Sequence, residues 1–379
     1  MSRQPAIWPA PEHFLRMERP DHPVLFFSPK VLRATAARFR VGFPGLVTYA
    51  VKANDAIEVI ENLVGAGLTA FDVASPQEME RVRTALRGAV LHYNNPVRSP
   101  AELEIARRMG VASYALDDRG ELEKLMAAGL PDGIEVAVRL RLPIKGAAYD
   151  FGAKFGADPA HCAELLRAAV AAGFIPSMTF HPGTQCADPA AWRAYIFEAA
   201  NVARVAGVRL NRLNVGGGFA AHRGGPMPDL EAIFSEIAGA VSAAFGHGAP
   251  KLVCEPGRAM VADAFTLATR IKALREDGSV FLNDGIYGGF AEAPILGNVA
   301  RMRVISPEGS VRQGPVQPRI VFGPTCDSLD RLPDTLPMPA DTTAGDYVLF
   351  EGMGAYSTAT VTRFNGYGGI VRVTVHGLA

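Results

Sequence analysis

The 379-residue chain reads as an α/β protein, a (β/α)8 TIM-like barrel with a second all-β C-terminal domain. Two observations carry this. Eight short apolar runs, each followed by a helical or connecting segment, alternate up to about Asp263, and such alternation demands parallel strands with right-handed crossovers. Beyond Asp263 short apolar runs are separated by Gly, Pro and Asp with little helix between them, as in a β domain. An open doubly wound sheet allows the same alternation, and the count of eight favours the barrel. The expected division is 1–30, joining the β domain; 31–263, the barrel; and 264–379, the β domain, since domain termini often lie close together.

In chain order, Leu25-Phe26-Phe27 precedes the helix-start signal Ser28-Pro29. The barrel strands are expected at Gly45–Val51, Thr69–Val73, Val90–Tyr93, Ser113–Leu116, Glu135–Leu140, Ile175–Phe180, Arg212–Val215 and Lys251–Cys254. Helical periodicity fills the gaps, and Ser75-Pro76 has the residues that cap and begin a helix. In the β domain, strands are expected at Phe265–Leu274, Val280–Asn283, Val299–Ile305, Arg319–Phe322, Asp346–Phe350 and Ile370–Val375. Pro-rich loops are expected at Pro315–Pro318 and Pro333–Thr343.

Composition narrows the function. Lys+Arg and Asp+Glu are equal at 38 each, so no charge excess suggests nucleic acid or an anionic membrane as partner. The first twenty residues lack the apolar core of a signal peptide, and no uninterrupted apolar stretch is long enough to span a membrane. Cys162, Cys186, Cys254 and Cys326 are scattered without a CxxC pair, unlike a disulfide framework or zinc site, and suit the reducing cytoplasm.

In this barrel class, chemistry sits at the C-terminal strand ends. Those ends carry Lys52, Asp72, Asn94, Arg139 or Arg141, His181, Gly216-Gly217-Gly218 and Glu255-Pro256-Gly257-Arg258. A lysine closing a buried strand is half desolvated, which favours the neutral amine that forms Schiff bases; a snorkelling surface lysine is the plainer alternative. Three glycines let the backbone approach a phosphate and donate N–H groups, although a flexible turn uses them equally well. Gly257 and Arg258 add an N–H and a cation. A carboxylate at Glu255 needs a partner such as a protonated pyridine nitrogen, and an imidazole at His181 can stack on a planar ring or serve as a core histidine. Lysine, phosphate cradle, ring-facing acid and flat imidazole together describe a pyridoxal 5′-phosphate (PLP) site.

The chain also resembles the fold type III PLP-dependent decarboxylases, the ornithine/diaminopimelate/arginine group, and the ornithine decarboxylase branch most. Tyr-Ala-Val-Lys-Ala-Asn at 49–54, Phe-Asp-Val-Ala-Ser at 71–75, Phe-His-Pro-Gly-Thr at 180–184, Val-Gly-Gly-Gly-Phe at 215–219 and Cys-Glu-Pro-Gly-Arg at 254–258 carry the likeness through the barrel. Asn-Asp-Gly-Ile-Tyr-Gly at 283–288, Gly-Pro-Thr-Cys-Asp at 323–327, Glu-Gly-Met-Gly-Ala-Tyr at 351–356 and Phe-Asn-Gly-Tyr at 364–367 continue it in family order.

The resemblance implies that Lys52 holds PLP as a Schiff base, His181 stacks on its ring and Glu255 pairs with its nitrogen. Thr184, Gly217, Gly218, Gly257, Arg258 and Tyr356 hold the phosphate and its surroundings, with Asp72 and Arg139 close by. Cys326 is implied as the acid that reprotonates Cα. Asp327, with Tyr287 and Tyr356, faces the substrate. Cys326 and Asp327 are implied to serve the barrel of the other subunit in a homodimer with shared active sites. The implied reaction is decarboxylation of an L-amino acid with a basic, ornithine- or lysine-like side chain, giving an amine of polyamine type. An acid at 255, where racemases of this fold carry arginine, favours decarboxylation over racemisation. The chain departs from the pattern at Leu296, where diamine producers carry a second acid. Either Glu292 takes that role or the substrate's far end is modified, as in citrulline-like, carboxylated-polyamine or aminocarboxypropyl groups.

Overall fold

The computed structural model describes residues 7–143 and 154–378. The helix Pro11–Glu18 and strand β1 (Val24–Phe27) open the chain, and the helix Pro29–Gly42 leads to a ring of parallel strands. These are β2 (Leu46–Val47), β3 (Tyr49–Ala50), β4 (Ala70–Val73), β5 (Val90–Tyr93), β6 (Ser113–Leu116), β7 (Glu135–Leu140), β8 (Ile175–Phe180), β9 (Arg212–Asn214) and β10 (Lys251–Cys254). Their spatial order is β2-β10-β9-β8-β7-β6-β5-β4-β3.

Nine strands replace the expected eight because the first is interrupted. The stretch expected as one strand over Gly45–Val51 breaks at Thr48, whose N–H and hydroxyl both donate to the Cys254 carbonyl, at 2.9 and 3.0 Å. Its first half pairs with β10 and its second with β4, so this broken strand closes the ring. The helices between strands begin at recurrent caps. The side chains of Ser75, Ser99, Asp158 and Asp188 each accept an N–H of the first turn, and each is followed by proline, whose fixed φ suits that position. Phe71, Leu91, Tyr114, Val136, Val138 and Phe180 are fully buried or nearly so on the central strands, as expected for a parallel sheet covered by helices.

The β-rich part joins β1 to β11 (Phe265–Leu274), β12 (Val280–Leu282), β13 (Met302–Ile305), β14 (Val316–Arg319), β15 (Val321–Phe322), β16 (Leu336–Pro339), β17 (Tyr347–Glu351) and β18 (Val371–Thr374). The main order is β13-β17-β11-β1-β18, with β12 lying between β11 and β15. β1 lies between β11 and the edge strand β18: it runs antiparallel to β11, with Phe27 opposite Phe265, and parallel to β18. Two stretches expected as Pro-rich loops are in part strands: β14 and β16 form an antiparallel ribbon with Val316 opposite Pro339 and Pro318 opposite Pro337. A two-stranded ribbon consists of two edges, so its prolines can lie where no ladder N–H is required.

Contacts divide the chain into two compact units. One comprises the chain through Thr35, Ala221–Met227 and the part from Arg258 on; the other comprises Ala36–Ala220 and Pro228–Gly257. Among the described residues no helix is long and apolar enough to cross a membrane.

Ring closure generates a prediction. A β-carbon on Gly45 would overlap the Leu252 carbonyl, where β2 meets β10. Gly45→Ala is expected to lower unfolding stability by about 1–3 kcal/mol, read as a lower chemical-denaturation midpoint. An unchanged midpoint would show that the closure yields without cost.

Candidate active site

Lys52 does not close a strand. The chain leaves β3 at Ala50 and makes a 3-10 turn over Val51–Ala53, and Lys52 is exposed rather than half desolvated. Its surrounding motif builds that turn. The Asn54 N–H donates to the Val51 carbonyl, the Tyr49 hydroxyl to the Asn54 carbonyl at 2.9 Å, and the Ala56 N–H to the Asn54 side-chain oxygen at 3.2 Å. Gly257 lies against the same turn: a β-carbon there would meet those of Ala53 and Ala50 at 3.1 and 3.3 Å.

Glu255, after β10, is buried, and one of its oxygens accepts hydrogen bonds from the side-chain amides of both Asn94 and Asn214. The Asn214 side-chain oxygen accepts the Gly216 N–H at 2.9 Å, which connects the acid to the glycine run. Gly216 and Gly218 take φ of +71° and +84°, a region that favours glycine. A β-carbon on Gly217 would lie 2.8 Å from the Glu255 carbonyl and 3.2 Å from His181 Nε2. The glycine run, the imidazole and the acid therefore meet at one place. The loop holding Thr184 is fastened there too, because the Cys186 N–H donates to the Gly218 carbonyl.

Charge crowds this cluster. Asp72 on β4 is buried, one of its oxygens has no hydrogen-bond partner, and its pKa is raised by burial against the pull of Lys52, Asn94 and Arg139. Burial, with Asp72 as second cause, pushes the Glu255 carboxyl up to about 8. Burial, Lys52 and Arg139 hold His181 well below its ordinary value, so its ring is neutral. The Gly183 N–H donates to Nδ1 at 3.1 Å, which leaves Nε2 to carry the proton. Arg139 lies over the Phe155 ring, 5.2 Å from its centroid, within the field of Glu255, Asp117 and Asp72.

Two members were absent from the sequence reading. Asn214 gave no signal, being one polar residue inside an apolar strand. Glu78 accepts the Ala74 N–H at 2.7 Å and senses Asp72 and Lys52, with its carboxyl pushed up to about 7 mainly by burial. Its signal was present: Ser75 and Glu78 have the spacing of a capping box, which carries an acid back to the strand end.

The β-rich unit holds the remaining candidates. Arg258 forms a two-pronged ion pair with Glu292, one contact being 2.7 Å, and lies 5.0 Å from the Tyr356 ring centroid. Glu292 is thus engaged by Arg258, and Leu296 sits in the short helix Ala293–Leu296. Cys326 is exposed, which excludes a role as a small buried apolar residue. Its N–H donates to the Asn365 side chain at 3.1 Å. The Tyr287 hydroxyl and Leu329 N–H donate to Asp327 and hold its carboxyl below the ordinary value.

Residues 30–262 match the family model described as pyridoxal-dependent decarboxylase, pyridoxal binding domain. The chain belongs to the pyridoxal-dependent decarboxylases. It is 32% identical to the lysine/ornithine decarboxylase of Selenomonas ruminantium over 85% of this chain and 81% of that one. It is 30% identical to antizyme inhibitor 2 of Xenopus laevis over 84% and 73%. The structure of lysine/ornithine decarboxylase complexed with cadaverine from Vibrio vulnificus superposes with a TM-score of 0.81 at 26% identity, covering 95% of this chain and 96% of that one.

The cofactor of this decarboxylase is PLP, and the residues present fit it. A buried acid held by two amides, an unpartnered Asp72 oxygen, a neutral imidazole and a glycine run too close for side chains suit a charged aromatic ring bearing a phosphate.

The raised carboxyls predict a pH dependence. Between its unfolded value, near 4.5, and its folded value of about 8, Glu255 binds more protons folded than unfolded. Stability therefore falls as pH rises through that window. The cofactor-stripped protein is expected to melt progressively lower from pH 5 to 8, and Glu255→Gln, which cannot ionise, to reduce that slope. Identical slopes in calorimetry would contradict the assignment.

Proposed function

We propose that this decarboxylase removes the α-carboxylate of an L-amino acid with a basic, ornithine- or lysine-like side chain and releases the amine. The observation that supports this most is the buried Glu255, fixed by Asn94 and Asn214 beside His181 and the glycine run. Bound PLP supplies an electron sink for the pair left behind when CO2 departs. Lys52 is the amine that attaches it. Glu255 opposes the positive charge of a protonated ring nitrogen, and the ring charge in turn compensates an acid that burial alone makes costly. His181, being neutral, covers the ring without adding a like charge. Asp72 and Glu78 lie within the electrostatic field of Lys52. The glycine amides, Thr184 and the Gly257–Arg258 segment take the phosphate, with Tyr356 beside Arg258.

Cys326 donates its thiol proton to Cα after CO2 leaves, and Asp327 with Tyr287 receives the substrate's distal cation. The active species is a homodimer in which Cys326 and Asp327 serve the other copy's barrel. Leu329 and Phe364, on the same loops as these groups, are 70% and 42% exposed, apolar area that a second copy would cover.

A second reading concerns the substrate's far end. With Glu292 paired to Arg258 and Leu296 uncharged, Asp327 is the acid left for a distal ammonium. That favours a far end that is modified or only partly cationic, such as a citrulline-like or carboxylated-polyamine group.

Lys52→Ala is expected to lose the absorbance of the lysine-bound cofactor and to lower CO2 release at least about a thousand-fold. Wild-type protein that purifies without PLP and takes none up would overturn the proposal. A panel of ornithine, lysine, arginine, citrulline and diaminopimelate, scored by CO2 release, separates the two substrate readings. For Cys326→Ala, the amine formed per CO2 should fall clearly below one. A ratio that stays at one removes the thiol from the protonation step.

A further inference from the structure

The groups expected to meet the substrate in the β-rich unit sit on three loops, around residues 284–290, 323–330 and 362–367. Their backbones are exposed in part, yet they are tied together at one buried point. Asp330 is 1% exposed. One of its oxygens accepts the Ile286 N–H at 3.0 Å, immediately before Tyr287. The other accepts both the N–H and the hydroxyl of Thr325, at 3.0 and 2.8 Å, immediately before Cys326. Its own backbone closes the loop, because the Gly323 N–H donates to its carbonyl and its N–H donates to the Asp327 carbonyl. Gly285 and Gly323 are glycines for the same reason: a β-carbon on either would overlap the Asp330 carboxylate. Nearby, the buried Asp284 accepts the Gly289 N–H at 2.9 Å, and burial, with Asp330 adding to it, pushes its carboxyl up to about 7. The Thr362 N–H donates to the Tyr287 carbonyl and the Cys326 N–H to Asn365, so the third loop hangs on the first two.

We propose that Asp330 is a positioning residue that sets the Cys326 thiol and the Tyr287 hydroxyl in register by holding the backbone on the N-terminal side of each. One carboxylate spans both loops, so its two oxygens fix a separation that neither loop sets by itself. The consequence for turnover rests on the proposed role of Cys326 as proton donor; the consequence for loop geometry does not.

The test uses the PLP-loaded enzyme with Asp330→Ala and Asp330→Asn, alongside Cys326→Ala and the double variant Cys326→Ala/Asp330→Ala. Asp330→Ala is expected to lower kcat about 10–100-fold, to change KM less than about threefold, and to drop the amine-to-CO2 ratio toward that of Cys326→Ala. The double variant should be no worse in that ratio than Cys326→Ala. Asp330→Asn keeps one carbonyl acceptor but turns N–H donors toward one loop, so it should fall between wild type and alanine. Independently of turnover, hydrogen exchange at 284–289 and 324–327 should accelerate together in both variants, and the alkylation rate of Cys326 should change at least threefold. If Cys326→Ala leaves the ratio at one, the protonation reading fails, and exchange and alkylation still decide the positioning. Unchanged exchange and alkylation in both Asp330 variants, or a fall in melting temperature with the ratio and alkylation rate intact, would overturn it. Should Asp330→Ala fail to fold, Asp330→Asn carries the same measurements.

Discussion

The buried carboxylate of Glu255 is the constraint around which the barrel site is arranged. A lone acid in this setting is destabilising by several kcal/mol when ionised. The chain answers with two asparagine amides, Asn214 at the end of the neighbouring strand β9 and Asn94 after β5, farther round the ring, which satisfy one oxygen without supplying a positive charge. The carboxyl therefore stays poised for a cation. Asn214 also takes the Gly216 N–H, so the group that steadies the acid shapes the glycine run as well. Acid and glycine run thus form one hydrogen-bonded unit.

The first strand breaks beside the residue that precedes this acid. Thr48 spends both its N–H and its hydroxyl on the Cys254 carbonyl, immediately before Glu255. The pairing moves from β10 to β4 at that point, and the chain can then turn at Val51–Ala53 in place of extending the strand. Lys52 on this turn is solvent-exposed, and it lies within the field of Asp72, Glu78 and Glu255.

Much of this was legible in the sequence, and the limits have physical causes. Strand positions followed from apolar runs because parallel strands are covered on both faces. Lys52, Asp72, His181 and Glu255 were legible because polar residues at the ends of such runs have few structural reasons to be there. The break at Thr48 was not, since a threonine satisfies its hydroxyl in an intact strand as easily as in a broken one. Asn214 was hidden because an amide within a strand announces nothing until its partner is known. The ribbon of β14 and β16 was missed because Pro315, Pro318, Pro333, Pro337 and Pro339 read as breakers, whereas edge strands tolerate proline. Asp330 lay four residues past Cys326, outside the quoted motif, and only the fold reveals that it grips Ile286 as well.

The two acids near the expected substrate loops differ in how their charge is compensated. Glu292 faces the Arg258 guanidinium with both oxygens, so its charge is largely cancelled by a partly buried partner. Asp327 receives only the Tyr287 hydroxyl and the Leu329 N–H, which stabilise its ionised form without neutralising it, and it makes no ion pair among the described residues. A negative charge supported by neutral donors still attracts a cation, but one carboxylate in solvent contributes far less than two closing around a desolvated ammonium. On the proposed role of Asp327, recognition through this one acid would reward a positive far end modestly and penalise a neutral one little. On that proposal, selectivity rests on the placement of Tyr287, whose loop is held by the Asp330 carboxylate.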